Sequence, residues 1–214
     1  MSCSEHRQNE PVRPGNRIFW HMHMKDIFST GVEYLWTALW IVWLISALMA
    51  KRSVQRQTIA SRLEQSILVT TAFCLLFARG IWPHWLRQRV LPEPDVALLW
   101  TGLILTAAGV GFAILARFWI GRNWSGTITI KEQHELIQSG PYRIVRHPIY
   151  TGLLLAYLST AIVHGEMRGF VGFFLLLLGF GLKLRMEEIF MVQQFGNAYL
   201  DYKRRVKALV PFVV

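Results

Sequence analysis

The 214-residue chain has only two cysteines, Cys3 and Cys74. One stands near the start and the other inside an apolar stretch, so neither a disulfide framework nor a metal-ligand spacing is available, and no metal is expected. Charge is also scarce: Asp, Glu, Lys and Arg make up 17% of the chain, below the quarter or so usual in a soluble domain. The first thirty residues lack an apolar core and nothing apolar precedes Cys3, so neither a signal peptide nor a lipoprotein signal is expected. Membrane insertion is then expected to rest on internal spans. No Gly-x-Gly-x-x-Gly follows a strand pattern. The Gly-Val-Gly of Gly109 and Gly111 lies within an apolar run and points to close helix packing rather than a phosphate loop. No internal repeat, low-complexity tract or linker stands out.

What the chain has in quantity is apolar side chains, 53% of residues, with a mean hydropathy of +0.32. They come in runs at 34–50, 66–82, 96–120, 148–163 and 169–184, near or within the ~17–25 residues that a spanning helix needs. Pro83, Pro92 and Pro94 break the chain between the second and third runs. Arg79, near the end of the second, is expected to snorkel. His164 lies in the short turn between the last two and is expected to face solvent. The fold class is therefore all-α, a polytopic membrane protein with about five transmembrane helices. Residues 1–33 form a polar N-terminal segment, expected to be loosely ordered through about Phe28. Residues 34–120 hold three spans, and 121–214 a loop, a helical hairpin and the tail. The tail from Arg185 is too polar to span. Ile189, Val192, Phe195 and Tyr199 recur at helical spacing, which predicts an amphipathic helix, kinked at Gly196, on the cytoplasmic face.

The net charge of +10 would suggest nucleic acid in a soluble protein. Here the basic residues cluster between apolar runs, so membrane orientation explains them and no nucleic-acid partner is expected. Loop 51–65, the stretch from Arg117 to Arg146 and the tail from Lys183 are basic and share one side if there are five spans. The other side balances Arg87 and Arg89 with Glu93 and Asp95, and Arg168 with Glu166. Basic short loops mark the cytoplasmic side, which sends the N-terminus outward.

Two stretches carry the candidate chemistry. The first, Trp119 to Tyr150, gathers His134, Tyr142, Arg143, Arg146, His147 and Tyr150, with Pro141 and Pro148. Interfacial arginines account for Arg143 and Arg146 one by one. A mere connector, however, needs neither His147-Pro148 nor two flanking tyrosines. Pro148 suits the first position of a helix, whose free backbone N–H groups would face an anionic ligand group. The second stretch is Lys183, Arg185, Glu187 and Glu188, where the last run ends. Lys183 and Glu187 share a helix face and could simply pair. Two adjacent carboxylates beside an apolar span point further, to a partner inside the protein such as a cationic ligand group or an amine.

The segment HELIQSGPYRIVRHPIYTG (134–152), followed after two apolar runs by EEIFMVQQFGNAYLDYKRRV (187–206), resembles the isoprenylcysteine carboxyl methyltransferase family over roughly the C-terminal 95 residues. The resemblance implies an all-helical membrane enzyme that uses S-adenosylmethionine, with a cofactor pocket closed by the tail and a lipophilic small-molecule or lipidated-peptide substrate arriving from the membrane lipids. By motif position His134, Leu136, Ile137, Tyr142, His147, Pro148, Ile149, Tyr150 and Glu187 would line the cofactor. Eukaryotic members place an arginine for the substrate carboxylate four residues before that glutamate. Lys183 stands there in this chain, with Arg185 close by, and lysine keeps the charge but not the bidentate fork. Lys183 and Arg185 are thus the expected catalytic pair, joined at the substrate by Glu188. The expected product is the methyl ester of a prenylcysteine-type carboxylate. A phospholipid amine is the alternative acceptor and would call on Glu188 as a base. Membrane reductases with a related motif continue it with Asn, Tyr and Gly-Glu, unlike Ile149, Tyr150, Thr151, Gly152 and Leu153. A transporter would want charges well inside the first, third and fourth spans, where none lies.

Overall fold

A computed structural model describes residues 14–48, 53–56, 59–78, 80–121, 129–131 and 136–211. Helix α1 runs over Pro14–Leu48. Proline is harmless in the first turn and no other proline interrupts this stretch, so the helix starts well before the apolar run. The expected loose N-terminal stretch through Phe28 is therefore corrected from Pro14 onward, and residues 1–13 lie outside the described residues. Phe28 and Val32 are buried, and Lys25 Nζ holds Glu93 at 2.6 Å. Strand β1, Ser53–Arg56, leads to α2, Ile59–Phe77. Helix α2 is displaced toward the N-terminus relative to the run at 66–82, because polar residues such as the buried Gln65 continue the helix. Arg79 lies outside the described residues. A short α3, His84–Arg87, precedes α4, Val96–Ile120, which coincides with its apolar run. The Asp95 side chain caps α4 by accepting from the Leu98 N–H at 2.7 Å. Strand β2, Thr129–Lys131, pairs antiparallel with β1, Ser53 opposite Lys131 and Arg56 opposite Thr129. A 3-10 turn at Gly140–Arg143, α5 at Pro148–His164, α6 at Met167–Phe195 and α7 at Asn197–Arg205 complete the chain.

Among the described residues, four helices are long and apolar enough to cross a membrane: α1 from Met22, α2, α4 and α6. With 17 residues, α5 rises about 25 Å, a little short of the ~30 Å hydrocarbon core. The 29 residues of α6 rise about 44 Å. About twenty residues cross the core, so the stretch from Lys183 to Glu188 falls at the far interface while still in mid-helix. This revises the expected span 169–184 followed by a separate tail helix. Nothing breaks the helix before Gly196, where φ is 52°, and only α7 remains as the amphipathic tail helix. It buries Tyr199 and Tyr202 and exposes Lys203, Arg204 and Arg205.

The loops sort to two ends as the charges predict. At one end the β1–β2 ribbon joins two basic loops, and the N–H groups of Arg146 and His147 bond the carbonyls of Lys207 and Ala208 at 2.8 and 3.0 Å. At the other, Val90 N–H bonds Gly165 O at 2.7 Å and the Arg89 guanidinium bonds His164 O at 2.8 Å. His164 is half-buried and edge-on to Phe28, with ring centroids 6.3 Å apart, rather than solvent-facing, because the longer α1 reaches over it.

Between the ends, α4 and α5 meet at Gly109 and Gly152. A Cβ on either would collide with the backbone carbonyl of the other, which bears out close packing at Gly109, whereas Gly111 faces open space. Buried hydroxyls are satisfied inside the bundle, as an apolar solvent requires. Thr106 and Thr160 lie 3.3 Å apart, Trp36 Nε1 donates to Thr160, and Tyr157 OH donates to Ala72 O at 2.6 Å.

Candidate active site

Proline disfavours helical backbone in the residue before it, so His147 stays outside α5 and its ring faces α6. His147 and Tyr150 are parallel, with centroids 5.6 Å apart, and Phe180 stacks on Tyr150 at 4.7 Å. Phe180, Lys183 and Glu187 share one stripe of α6, at i, i+3 and i+7. Lys183 Nζ stands 5.6 Å from the Tyr150 ring centroid, within cation–π range. Tyr150 OH donates to Glu187 Oε1 at 2.5 Å, and His147 Nδ1 lies 3.4 Å from Glu187 Oε2. His147 Nε2 is buried, 3.5 Å from Glu188 Oε1 but too poorly aligned to bond it. It has no hydrogen-bond partner among the described residues.

Glu188 is held differently. Arg146 reaches its Oε1 through Nη2 at 2.5 Å and Nε at 2.9 Å, and Lys203 Nζ reaches Oε2 at 2.5 Å. The Arg146 Nη1 also donates to the carbonyls of Lys203, at 3.2 Å, and Val206. Tyr202 OH donates to Tyr142 O at 2.5 Å, and Thr151 Oγ1 to Leu209 O at 2.7 Å. The tail is thus laid along the start of α5.

Burial alone would lower the pKa of His147, but the Glu187 and Glu188 carboxylates outweigh it and raise it above the ordinary value. The ring therefore tends to carry a proton. Burial pushes the Tyr202 phenol up to about 12. Burial, and then the charge of Glu187, push Tyr142 up as well. Both phenols remain donors at neutral pH.

The fold brings Tyr142, His147, Pro148, Ile149, Tyr150, Lys183, Glu187 and Glu188 to one place. Leu136 and Ile137 are half-buried, and Ile137 packs against the hydrophobic core. His134 lies outside the described residues. Arg185 is not with the others. Two residues along a helix is a rotation of about 200°, so Lys183 meets Tyr150 while Arg185 lines an open groove of about 230 Å³ with Phe174, Leu177 and Gly181. Adjacency in sequence grouped them, and the uninterrupted helix separates them. Phe180, Arg146 and Lys203 were not singled out as site residues. Phe180 was legible from its spacing to Lys183 and Glu187. The Arg146 partners come from α6 and α7, and no local pattern announces them.

The donor set suits a ligand with a cationic centre and an anionic group. Glu187 is partly open, with 23% of its side chain exposed, beside a tyrosine and a ring face. The orphaned Nε2 of His147 and the Lys183 ammonium offer donors. A family model described as phospholipid methyltransferase matches residues 97–198. The chain is 30% identical over 153 residues to the probable protein-S-isoprenylcysteine O-methyltransferase of Oryza sativa subsp. indica, covering 69% of this chain and 80% of the relative. To protein-S-isoprenylcysteine O-methyltransferase A of Arabidopsis thaliana it is 34% identical over 155 residues, covering 69% and 78%. The chain belongs to the isoprenylcysteine carboxyl methyltransferase family. The solved structure of the eukaryotic intramembrane Ras methyltransferase, isoprenylcysteine carboxyl methyltransferase, matches with a TM-score of 0.50 at 20% identity, over 75% of this chain and 55% of that one. That likeness concerns the fold. The chain is an integral membrane methyltransferase.

Proposed function

We propose that the protein transfers the methyl group of S-adenosylmethionine to the carboxylate of a prenylcysteine-type acceptor, a lipophilic small molecule or lipidated peptide, at the cytoplasmic face of the membrane. The catalytic region is 121–214, which follows the spans of α1, α2 and α4 in the chain. The observation that carries this reading is Glu187, a partly open carboxylate gripped by Tyr150 and flanked by His147, with Lys183 one turn earlier on the same face.

When bound, the cofactor supplies an electrophilic methyl on a sulfonium. Glu187 and the Tyr150 ring would hold its cationic end, and His147 would donate to its anionic group. Pro148, Ile149 and Tyr142 would form the wall, with Leu136 and Ile137 at its margin. Lys183 holds the acceptor carboxylate without protonating it. That acceptor is ionised at neutral pH, so alignment and exclusion of water supply most of the rate. Arg185, on the lipid-facing side of α6, attracts the anionic head of the acceptor on its way in. The cytoplasmic orientation is supported by the basic loops gathered at this end.

The description of the matching family model favours a second reading, methylation of a phospholipid amine. An amine must lose a proton. Glu188, the base that reading would call on, is already paired with Arg146 and Lys203, which argues for the carboxylate. The test supplies labelled S-adenosylmethionine with either an S-farnesylcysteine derivative bearing a free carboxylate or phosphatidylethanolamine. The expected product from the first releases methanol in alkali, and its formation shows little acid limb near neutrality. Alkali-stable label on phosphatidylethanolamine alone would reject the carboxylate reading. Absence of S-adenosylhomocysteine binding by calorimetry would reject the cofactor.

A further inference from the structure

Glu187 and Glu188 are adjacent, yet their surroundings differ. Glu187 meets Tyr150 and His147 and keeps part of its surface open, whereas Glu188 is engaged at both oxygens by cations. An ionised carboxylate has about four acceptor sites, and Arg146 and Lys203 take three of them at Glu188. Arg146 has five donors in a fixed fork. Two bond Glu188, and Nη1 bonds the carbonyls of Lys203 and Val206. Those carbonyls lie at the C-terminal end of α7, where the helix itself leaves acceptors unsatisfied. One buried side chain therefore ties α6 to the end of α7. The same short segment is bound to the tail through its backbone, Arg146 N–H to Lys207 O and His147 N–H to Ala208 O. Four residues on, Thr151 Oγ1 holds Leu209 O. His147 and the tail thus cannot move independently.

We propose that Arg146 is a positioning residue that docks residues 203–209 against the start of α5 through Glu188 and the α7 carbonyls. This docking keeps His147 and Glu187 in the register that binds the cofactor, while Arg146 itself touches neither the transferred methyl group nor the acceptor. The inference rests on the reading that His147 and Glu187 hold the cofactor. A lysine at 146 keeps one charge but lacks the planar fork, so it cannot serve Glu188 and two carbonyls together.

The experiment compares the full-length, detergent-solubilised wild type with Arg146→Lys and Thr151→Val. The first readout needs no cofactor. Hydrogen exchange of the peptide covering 144–150 reports the amides of Arg146 and His147, which are protected only while the carbonyls of Lys207 and Ala208 are docked. The second readout is calorimetric affinity for S-adenosylhomocysteine, and the third separates KM from kcat. In Arg146→Lys the expected exchange is about tenfold faster, with a cofactor Kd and KM about tenfold higher and kcat within about threefold of wild type. Thr151→Val removes one tail bond and gives the same signs at about two- to threefold. Wild-type exchange and cofactor KM in Arg146→Lys would overturn the inference. So would a fall in kcat at unchanged cofactor KM, which would put Arg146 at the chemistry. Should Arg146→Lys not fold, Thr151→Val decides: faster exchange with unchanged cofactor affinity would refute the link. If the wild type itself bound no S-adenosylhomocysteine, the cofactor reading would fall, while the exchange comparison would still judge the docking.

Discussion

The two ends of the helical bundle use similar side chains for different ends. At the end away from the site, cations close the backbone, with carboxylates only as side partners: Lys25 and Arg89 pair with Glu93, and Arg168 with Glu166. Arg89 donates to His164 O and Pro92 O, and Arg168, 1% exposed, donates to Leu75 O and Leu76 O at the last turn of α2. At the site end the polar groups meet one another, as Tyr150 with Glu187, His147 with two glutamates, and Arg146 and Lys203 with Glu188. Carbonyls at a helix terminus are a fixed need that an arginine fills completely. A cluster of side chains around an open carboxylate has capacity left for a ligand. The difference separates a fastening from a binding site built with the same residue types.

The contrast can be broken at either end. Glu187→Ala is expected to have the largest effect, a loss of about 100-fold in kcat/KM for S-adenosylmethionine, with little change in melting temperature. Unchanged cofactor affinity in this variant would remove Glu187 from the site. Lys183→Ala is expected to raise acceptor KM about tenfold and leave cofactor affinity alone. An equal loss in both would mean that Lys183 shapes the pocket rather than gripping the acceptor. Arg168→Met at the opposite end leaves α2 carbonyls unbonded and is expected to lower stability by about 2 kcal/mol, with kcat per folded molecule within about twofold. A catalytic defect in well-folded Arg168→Met would erase the distinction between the ends.

The smallest expected effect is a pH dependence. His147 has a raised folded-state pKa, so its contribution to stability is fully present below the unfolded value of about 6.5. That contribution is lost as pH rises through the folded value. The wild-type melting temperature is therefore expected to decline above about pH 6.5, and His147→Gln to flatten that part of the profile. A steeper decline in His147→Gln would contradict the assignment of the proton to this ring.

Much of this is legible in the sequence alone. The apolar run at 96–120 is α4 residue for residue, because Asp95 caps it and Pro92 and Pro94 exclude helix before it. His147, Pro148, Tyr150 and Glu187 were legible from their motif. The errors share one cause. Hydropathy marks where a helix is apolar, not where it stops, so α1 and α6 both outrun their runs at 34–50 and 169–184. Lys183 and Arg185 are grouped by adjacency to the motif position, and the continuous helix turns them to different sides.

By itself the sequence determined the helices, the sorting of basic loops to one end and the residue types of the site, since hydropathy, proline and loop charge act locally. Only the tertiary structure decided which of two adjacent glutamates stays open. That choice is made by Arg146 and Lys203, groups distant in the chain that meet Glu188 only once α5, α6 and the tail have packed.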